Sequence, residues 1–352
     1  RDPEMSRGLG DVYKRQVINN FPYKDIRDYY HKWYRPDLQG IVIVGDIDVD
    51  AVEAKLKAIF ADVQKAVNPA ERVYYPVADN KEPIVAIGTD KEVDDPSIEV
   101  YFKQDATPDS EKNNVGYLAS QYMTSMITSM LNARLSELTQ SANPPFTRAY
   151  SSYGNFFVAK TKEALNLSAS SKADGIEKAL KVLLQEAERA RRFGFTESEY
   201  ARARANYLQR LESAYNEREK TKHGSYVREY VRNFLDAEPI PGIETEYAMM
   251  NQLAPNLPVQ AINMAIQQLV PDSNQVVIIA GPEKEGLKYP QKEEVIALLK
   301  GMKSLDLQPY VDKVSDEPLM KEAPKGGKIV SEKEGEIYGS CLLYTSPSPR
   351  DI

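Results

Sequence analysis

Two stretches of this chain carry one pattern. Trp33–Phe60 reads WYRPDLQGIVIVGDIDVDAVEAKLKAIF, and Leu269–Met302 reads LVPDSNQVVIIAGPEKEGLKYPQKEEVIALLKGM. Pro36-Asp37 aligns with Pro271-Asp272, Ile41–Val44 with Val276–Ile279, and Gly45 with Gly281 after a one-residue insertion. A short β-branched run closed by a glycine turn predicts a buried strand that feeds a helix. Copies this far apart predict two domains of common origin, because solenoid periods run only about 20–50 residues. The first domain is then represented by its last strand and helix alone.

The pattern divides the chain as follows. Residues 17–60 are expected to close a first domain, with a short helix at Tyr23–Lys32 ended by the Arg35-Pro36 bend. Asp50 and Glu53 have the spacing of a capping box for the helix after Gly45. Residues 61–82, with Pro69 and Pro76 and little periodicity, read as a linker. Residues 83–305 read as a complete second domain. Its expected strands are Pro83–Thr89, Ser97–Lys103, Thr147–Ala159 and a half-buried Ala164–Ser171. A long helix over Asn113–Gln140 is expected to bury Tyr117, Met123, Met126, Met130 and Leu131. A helix from Asp174 should end at Gly194, and Thr196 with Glu199 forms a capping box for the next one. Helices at Tyr226–Leu235, Ile243–Gln252 and Val259–Leu269 follow between prolines. Residues 306–340 read as a linker and the entry into a third domain. Residues 1–16 and 341–352 read as non-native, adapter-like tails and are left out of the fold reasoning.

Several of these segments resemble one protein family in one order. YYHKWYRPDLQGIVIVGDIDVDAVEAKLKAIF is similar to the end of the catalytic domain in insulinase-type (pitrilysin-type) zinc metallopeptidases. RLSELTQSANPPFTRAYSSYGNF, FGFTESEYARARANYLQRLESAYNEREKT, EYVRNFLDAEPIPGIETEY and NQVVIIAGPEK resemble the following, non-catalytic domain of the large bacterial members. The resemblance implies an α+β fold: two-layer domains, each a mainly antiparallel sheet covered on one side by helices, related by duplication. It also implies a zinc endopeptidase as the parent, and a periplasmic or cell-envelope location in a bacterium. Its expected partners are peptide substrates and the remaining domains or a sister subunit.

The chemistry of that family is not carried by these residues. Its zinc sits on an inverted His-x-x-Glu-His helix plus a downstream glutamate, where the motif glutamate activates the bound water. This chain has two histidines, His31 and His223, neither in such a motif, and one cysteine, Cys341. A catalytic zinc needs about three protein ligands. The expectation is therefore no metal or other cofactor in this chain, zinc in the parent, and no peptide hydrolysis by the chain alone. Asp46, Asp48 and Asp50 begin like a calcium loop, but Ala51 and Lys57 stand where such a loop needs glycine and glutamate.

Composition excludes other classes. A net charge of -7, with glutamates interspersed among the arginines of 188–210, gives no footprint for nucleic acid. No apolar run reaches the roughly 18 residues of a membrane span. With 42% hydrophobic residues the chain is expected to build a packed core.

One segment, Pro144–Phe157, is a candidate for substrate contact. In the family the corresponding strand carries a tyrosine preceded by an arginine in an L-R-x-x-x-x-L-x-Y pattern. Tyr150 stands for the tyrosine, Thr139 follows Leu138 where the arginine would stand, and Arg148 lies closer to the tyrosine than the pattern asks. The residues expected to touch peptide are Arg148, Tyr150 and Tyr153; the plain reading is that they are strand residues chosen for β-propensity. Two functional readings follow. In the first, the chain is scaffold and chamber wall of a zinc endopeptidase. In the alternative, it belongs to a catalytically inactive relative that serves as a partner subunit or structural scaffold.

Overall fold

The computed structural model describes residues 16–313, 327, 331–334 and 341–344. Expectations for residues 1–15, 314–326, 328–330, 335–340 and 345–352 lie outside the described residues. Two compact units divide at Tyr310/Val311.

The larger unit is organised by a five-stranded sheet of β1 (Ile84–Asp90), β2 (Ser97–Asp105), β3 (Arg148–Asn155), β4 (Lys162–Ser170) and β5 (Gln275–Pro282), in the order β1-β5-β2-β4-β3. Only the β1–β5 pair is parallel. Strict alternation sorts the side chains. Ile98, Val100 and Phe102 on β2 share a face with Leu165, Leu167 and Ala169 on β4 and with Val277 and Ile279 on β5. That face belongs to one continuous buried core. Fully burying one such leucine or phenylalanine contributes about 1.5–3 kcal/mol.

Helices supply the second layer. α4 (Val115–Thr139) packs on β3, α5 (Ile176–Phe193) on β2 and β4, α9 (Val259–Leu269) on β2, and α10 (Lys292–Gly301) on β1. α6 (Glu197–Asn216) and α8 (Ile243–Asn256) pack on each other, and α6 lies against α4. α4 buries Met126, Met130 and Leu131 as expected. Tyr117 and Met123 are only half-buried; Tyr122 takes the core position, its hydroxyl 3.1 Å from that of Tyr200. α6 starts on the expected Thr196–Glu199 capping box. α8 runs four residues further than expected, with Pro255 in its last turn, where a missing N–H breaks only one hydrogen bond.

Three expectations need correction. β4 is not half-buried: Ala164 and Ser168, on the face away from the helices, are buried too. The strand is internal, flanked by β2 and β3, and Tyr101 and Phe156 pack on Ala164. Second, Asp48 and not Asp50 caps the early helix α3 (Val49–Ile59), its Oδ1 accepting from the Ala51 amide at 3.0 Å. Asp50 falls in the first turn, where a negative charge suits the helix dipole.

Third, Ile41–Val44 is not a strand, whereas its counterpart Val276–Ile279 lies within β5, between β1 and β2. A strand exists only with a hydrogen-bonded neighbour, and among the described residues Ile41–Val44 has none. The same segment is unusual in its burial. Neither α2 (Tyr23–Trp33) nor α3 has a buried residue, and Ile41 and Ile43 are exposed.

Residues 61–82 form no helix or strand, but their end is pinned to the sheet. The Asn80 amide donates to Asn274 Oδ1 at 2.9 Å, the Asn274 amide to the Asn80 carbonyl at 2.8 Å, and Asn80 Nδ2 to the Gln275 carbonyl at 3.0 Å. In the smaller unit, β6 (Ser331–Glu334) pairs antiparallel with β7 (Cys341–Tyr344). The second of these strands lies in the stretch that the sequence reading set aside as a tail.

Candidate functional site

The face of the sheet that the helices leave uncovered gathers the polar and aromatic side chains. β2 presents Ser97, Glu99, Tyr101, Lys103 and Asp105; β4 presents Lys162, Asn166 and Ser168; β3 presents Arg148, Tyr150 and Ser152. β1 and β5 add the apolar Ile84, Val276 and Ile278.

Tyr101 is the centre of this face. Its ring meets Phe156 edge-on at 5.4 Å and Phe157 at 5.1 Å. Its hydroxyl donates to Glu99 Oε2. Burial first, and then that hydrogen bond, push the phenol well above its ordinary range, so it remains a donor at any physiological pH.

One end of the face is closed by two lysines and by Ala78 and Asp79. Lys103, 2% exposed, donates from Nζ to the Ala78 carbonyl at 2.7 Å, with the Phe156 ring centroid 5.7 Å away. Burial, and next the charge of Lys162, lower the pKa of its ammonium. Lys162 reaches Asp79 at 2.6 Å and Asp105 at 2.5 Å. Burial alone would lower its pKa, but the hydrogen bonds that its ammonium donates to both carboxylates outweigh this and raise it. The sheet thus holds Ala78 and Asp79 by charge-assisted contacts.

The structure separates the three residues singled out from the sequence. Arg148 and Tyr150 lie on the uncovered face of an edge strand, Tyr150 47% exposed. Tyr153, an odd number of positions along, points to the helix side. There its hydroxyl donates to Glu163 Oε2 at 2.8 Å, and burial followed by that carboxylate raises its pKa. Ser151, on the same side, is bound to α4: its amide donates to Asn132 Oδ1 at 2.6 Å. Tyr101, Glu99, Asn166 and Phe156 were not singled out. For Glu99 and Tyr101 the signal was the alternation of Ser97–Asp105, in which every second residue is polar or a tyrosine.

The donors present do not fit a zinc ion. His31 lies in α2 and His223 at the start of α7 (His223–Asp236), both exposed, and among the described residues no group of three or more His, Cys, Asp or Glu could hold a metal. What this face can do is bind: hydroxyls, an amide and flat aromatic surfaces suit an extended polypeptide.

Comparison with known proteins agrees with this architecture. Residues 20–207 match the family described as the peptidase M16 inactive domain. The zinc protease PQQL-like protein of Arabidopsis thaliana is 24% identical over 333 residues, covering 94% of this chain and 31% of that protein. The probable zinc protease PqqL of Escherichia coli is 23% identical over 244 residues, 69% of this chain and 26% of that protein. The crystal structure of the periplasmic protease PqqL from Escherichia coli superposes with a TM-score of 0.73 at 20% identity, covering 94% of this chain and 36% of that one. The chain therefore spans about a quarter to a third of the length of these relatives. No helix among the described residues is long and apolar enough to cross a membrane. The match spans more than half of the chain, including the Pro36–Phe60 unit, strands β1 to β4 and helices α4 and α5, and on it the chain belongs to the peptidase M16 inactive-domain family.

Proposed function

We propose that this chain is scaffold and substrate-facing wall of a zinc endopeptidase. Residues 17–60 complete the zinc-binding domain, residues 83–305 form the non-catalytic second domain, and 306–340 lead onward. Zinc and the water-activating glutamate come from the preceding part of the parent. The observation that carries the reading is the one-sided sheet, with helices and core on one face and Tyr101, Tyr150, Asn166 and Arg148 on the other. Peptide substrates lie against that face, where Arg148 and Tyr150 contact them; Tyr153 acts through β3 and Glu163. The zinc protease names of the relatives support the parent's activity, and the periplasmic protein among them supports a periplasmic location.

The test is steady-state hydrolysis of an unfolded peptide by the longer protein with Tyr150→Ala or Arg148→Ala. The expected outcome is a KM raised severalfold with kcat nearly unchanged, because contact away from the zinc contributes equally to ground and transition states. An unchanged KM in both variants would remove these residues from the wall. An upstream sequence with substituted zinc ligands would favour the inactive-scaffold reading instead.

A further inference from the structure

Helix α7 stands apart from the rest of the second domain. It has no buried residue, although Val227, Tyr230, Val231, Phe234 and Leu235 make an apolar stripe at helical spacing. Phe234 and Leu235 are 55% and 52% exposed. A helix of 14 residues gains little stability from its own hydrogen bonds and relies on packing.

What holds α7 is its C-terminal end. Lys112 Nζ donates to the Asp236 carbonyl at 2.7 Å, and Lys160 Nζ donates to the Leu235 carbonyl at 3.0 Å and pairs with the Asp236 carboxylate. The chain then reverses through Ala237 in the left-handed region (φ 53°). Cavities of about 580 and 600 Å³ flank the return through Pro239–Pro241. The N-terminal end has no side-chain cap.

The stripe has a neighbour on one side. The Phe234 ring lies against Gly40, so close that a Cβ there would come within 3.1 Å of it. Gly40 leads directly into Ile41–Val44, the strand-like run without a ladder partner among the described residues. A polypeptide that pairs with Ile41–Val44 has to lie within reach of Phe234.

We infer that α7 is the surface by which the second domain grips the body of the zinc-binding domain. Val231, Phe234 and Leu235 pack on the same polypeptide that completes the sheet around Ile41–Val44. This inference rests on the reading of residues 17–60 as the closing unit of that domain. The anchoring of α7 by Lys112 and Lys160 fixes its position before the partner arrives, which lowers the ordering cost of association.

Hydrogen exchange tests it, measured on this chain and on the longer protein that includes the preceding domain. The expected result is that amides 41–44 and 226–236 both exchange at least about tenfold more slowly in the longer protein. Phe234→Ser in the longer protein should restore fast exchange in α7 while the amides of β2 and β4 keep their rates. Protection of 41–44 without any change in α7 would overturn the inference and leave the domain reading standing. No protection in either segment would sink both. Slow exchange in α7 of this chain that depends on protein concentration would assign the stripe to a second copy and overturn the inference as well.

Discussion

Arg134 and Glu199 form a two-pronged ion pair inside the domain, Nε to Oε1 at 2.7 Å and Nη2 to Oε2 at 2.9 Å, with side chains 1% and 4% exposed. The same Glu199 carboxylate accepts from the Thr196 amide at 2.8 Å and so completes the cap of α6. Arg134 Nη2 also donates to the Gly194 carbonyl at 3.0 Å, and the Phe195 and Tyr310 rings lie 4.8 and 4.3 Å from the guanidinium carbon. One pair thereby ties α4, the end of α5, the start of α6 and residue 310 together.

Removing one partner leaves a buried charge. Arg134→Leu is expected to destabilise the chain by about 3–5 kcal/mol in urea unfolding. Arg134→Leu combined with Glu199→Met should recover most of that loss, short of the cap contribution of about 1 kcal/mol. A double variant as unstable as the single one would refute the account.

Gly194 ends α5 at φ 70° and ψ −158°, a region that essentially only glycine occupies. The Asn263 side chain also fills the place of a Cβ, held there by the Phe195 amide and carbonyl at 2.8 and 3.1 Å. Gly194→Ala is expected to cost about 1–3 kcal/mol of backbone strain, with more added by displacement of Asn263. A calorimetric midpoint within one degree of the parent chain would contradict this.

Stability should vary with pH through Glu246. Burial first, and then the nearby charge of Glu229, raise its pKa above the ordinary 4.5. The burial of Tyr207 itself, and then the charge of Glu246, push its phenol up to about 12. A carboxyl whose folded pKa is raised favours folding while protonated. Its contribution is full below pH 4.5 and is lost as pH rises through the folded value. Glu246→Gln should therefore be more stable than the parent chain at pH 7.5, with the difference shrinking toward pH 5. Equal differences at both pH values, by urea midpoint, would show that Glu246 is not responsible.

Metal analysis of the purified chain offers the plainest check on the division of labour. Emission spectrometry after dialysis is expected to find zinc well below one equivalent, and added zinc should leave the unfolding midpoint unchanged, since a ligand that binds only the native state must raise it. One tightly held equivalent would place a zinc site where these residues do not provide for one.

Much of the fold was legible because it rests on local signals. The Thr196–Glu199 box, the glycine after α5 and the apolar face of Met126, Met130 and Leu131 are short-range patterns with a direct physical cause, and each appears where it was expected. The uncovered face was partly legible: alternation marks Tyr150 and Tyr101 as sharing no side with Ile98 or Leu167 once the register is known. It also puts Tyr153 on the opposite side of β3 from Arg148 and Tyr150, but it could not group those two with Tyr101, because that depends on which strands become neighbours.

The sequence by itself determined where most of the elements lie, that the early unit and Leu269–Met302 share one pattern, and that neither histidine stands in a His-x-x-Glu-His motif. Period, caps and residue types are properties of the chain alone. Only the tertiary structure decided that Val276–Ile279 becomes an internal strand while the equally apolar Ile41–Val44 has no ladder among the described residues. It also decided that Arg134 is a buried tie and that α7 is left with its apolar stripe uncovered. Strand pairing and burial are relations between distant segments, and they follow from the neighbour that each segment finds.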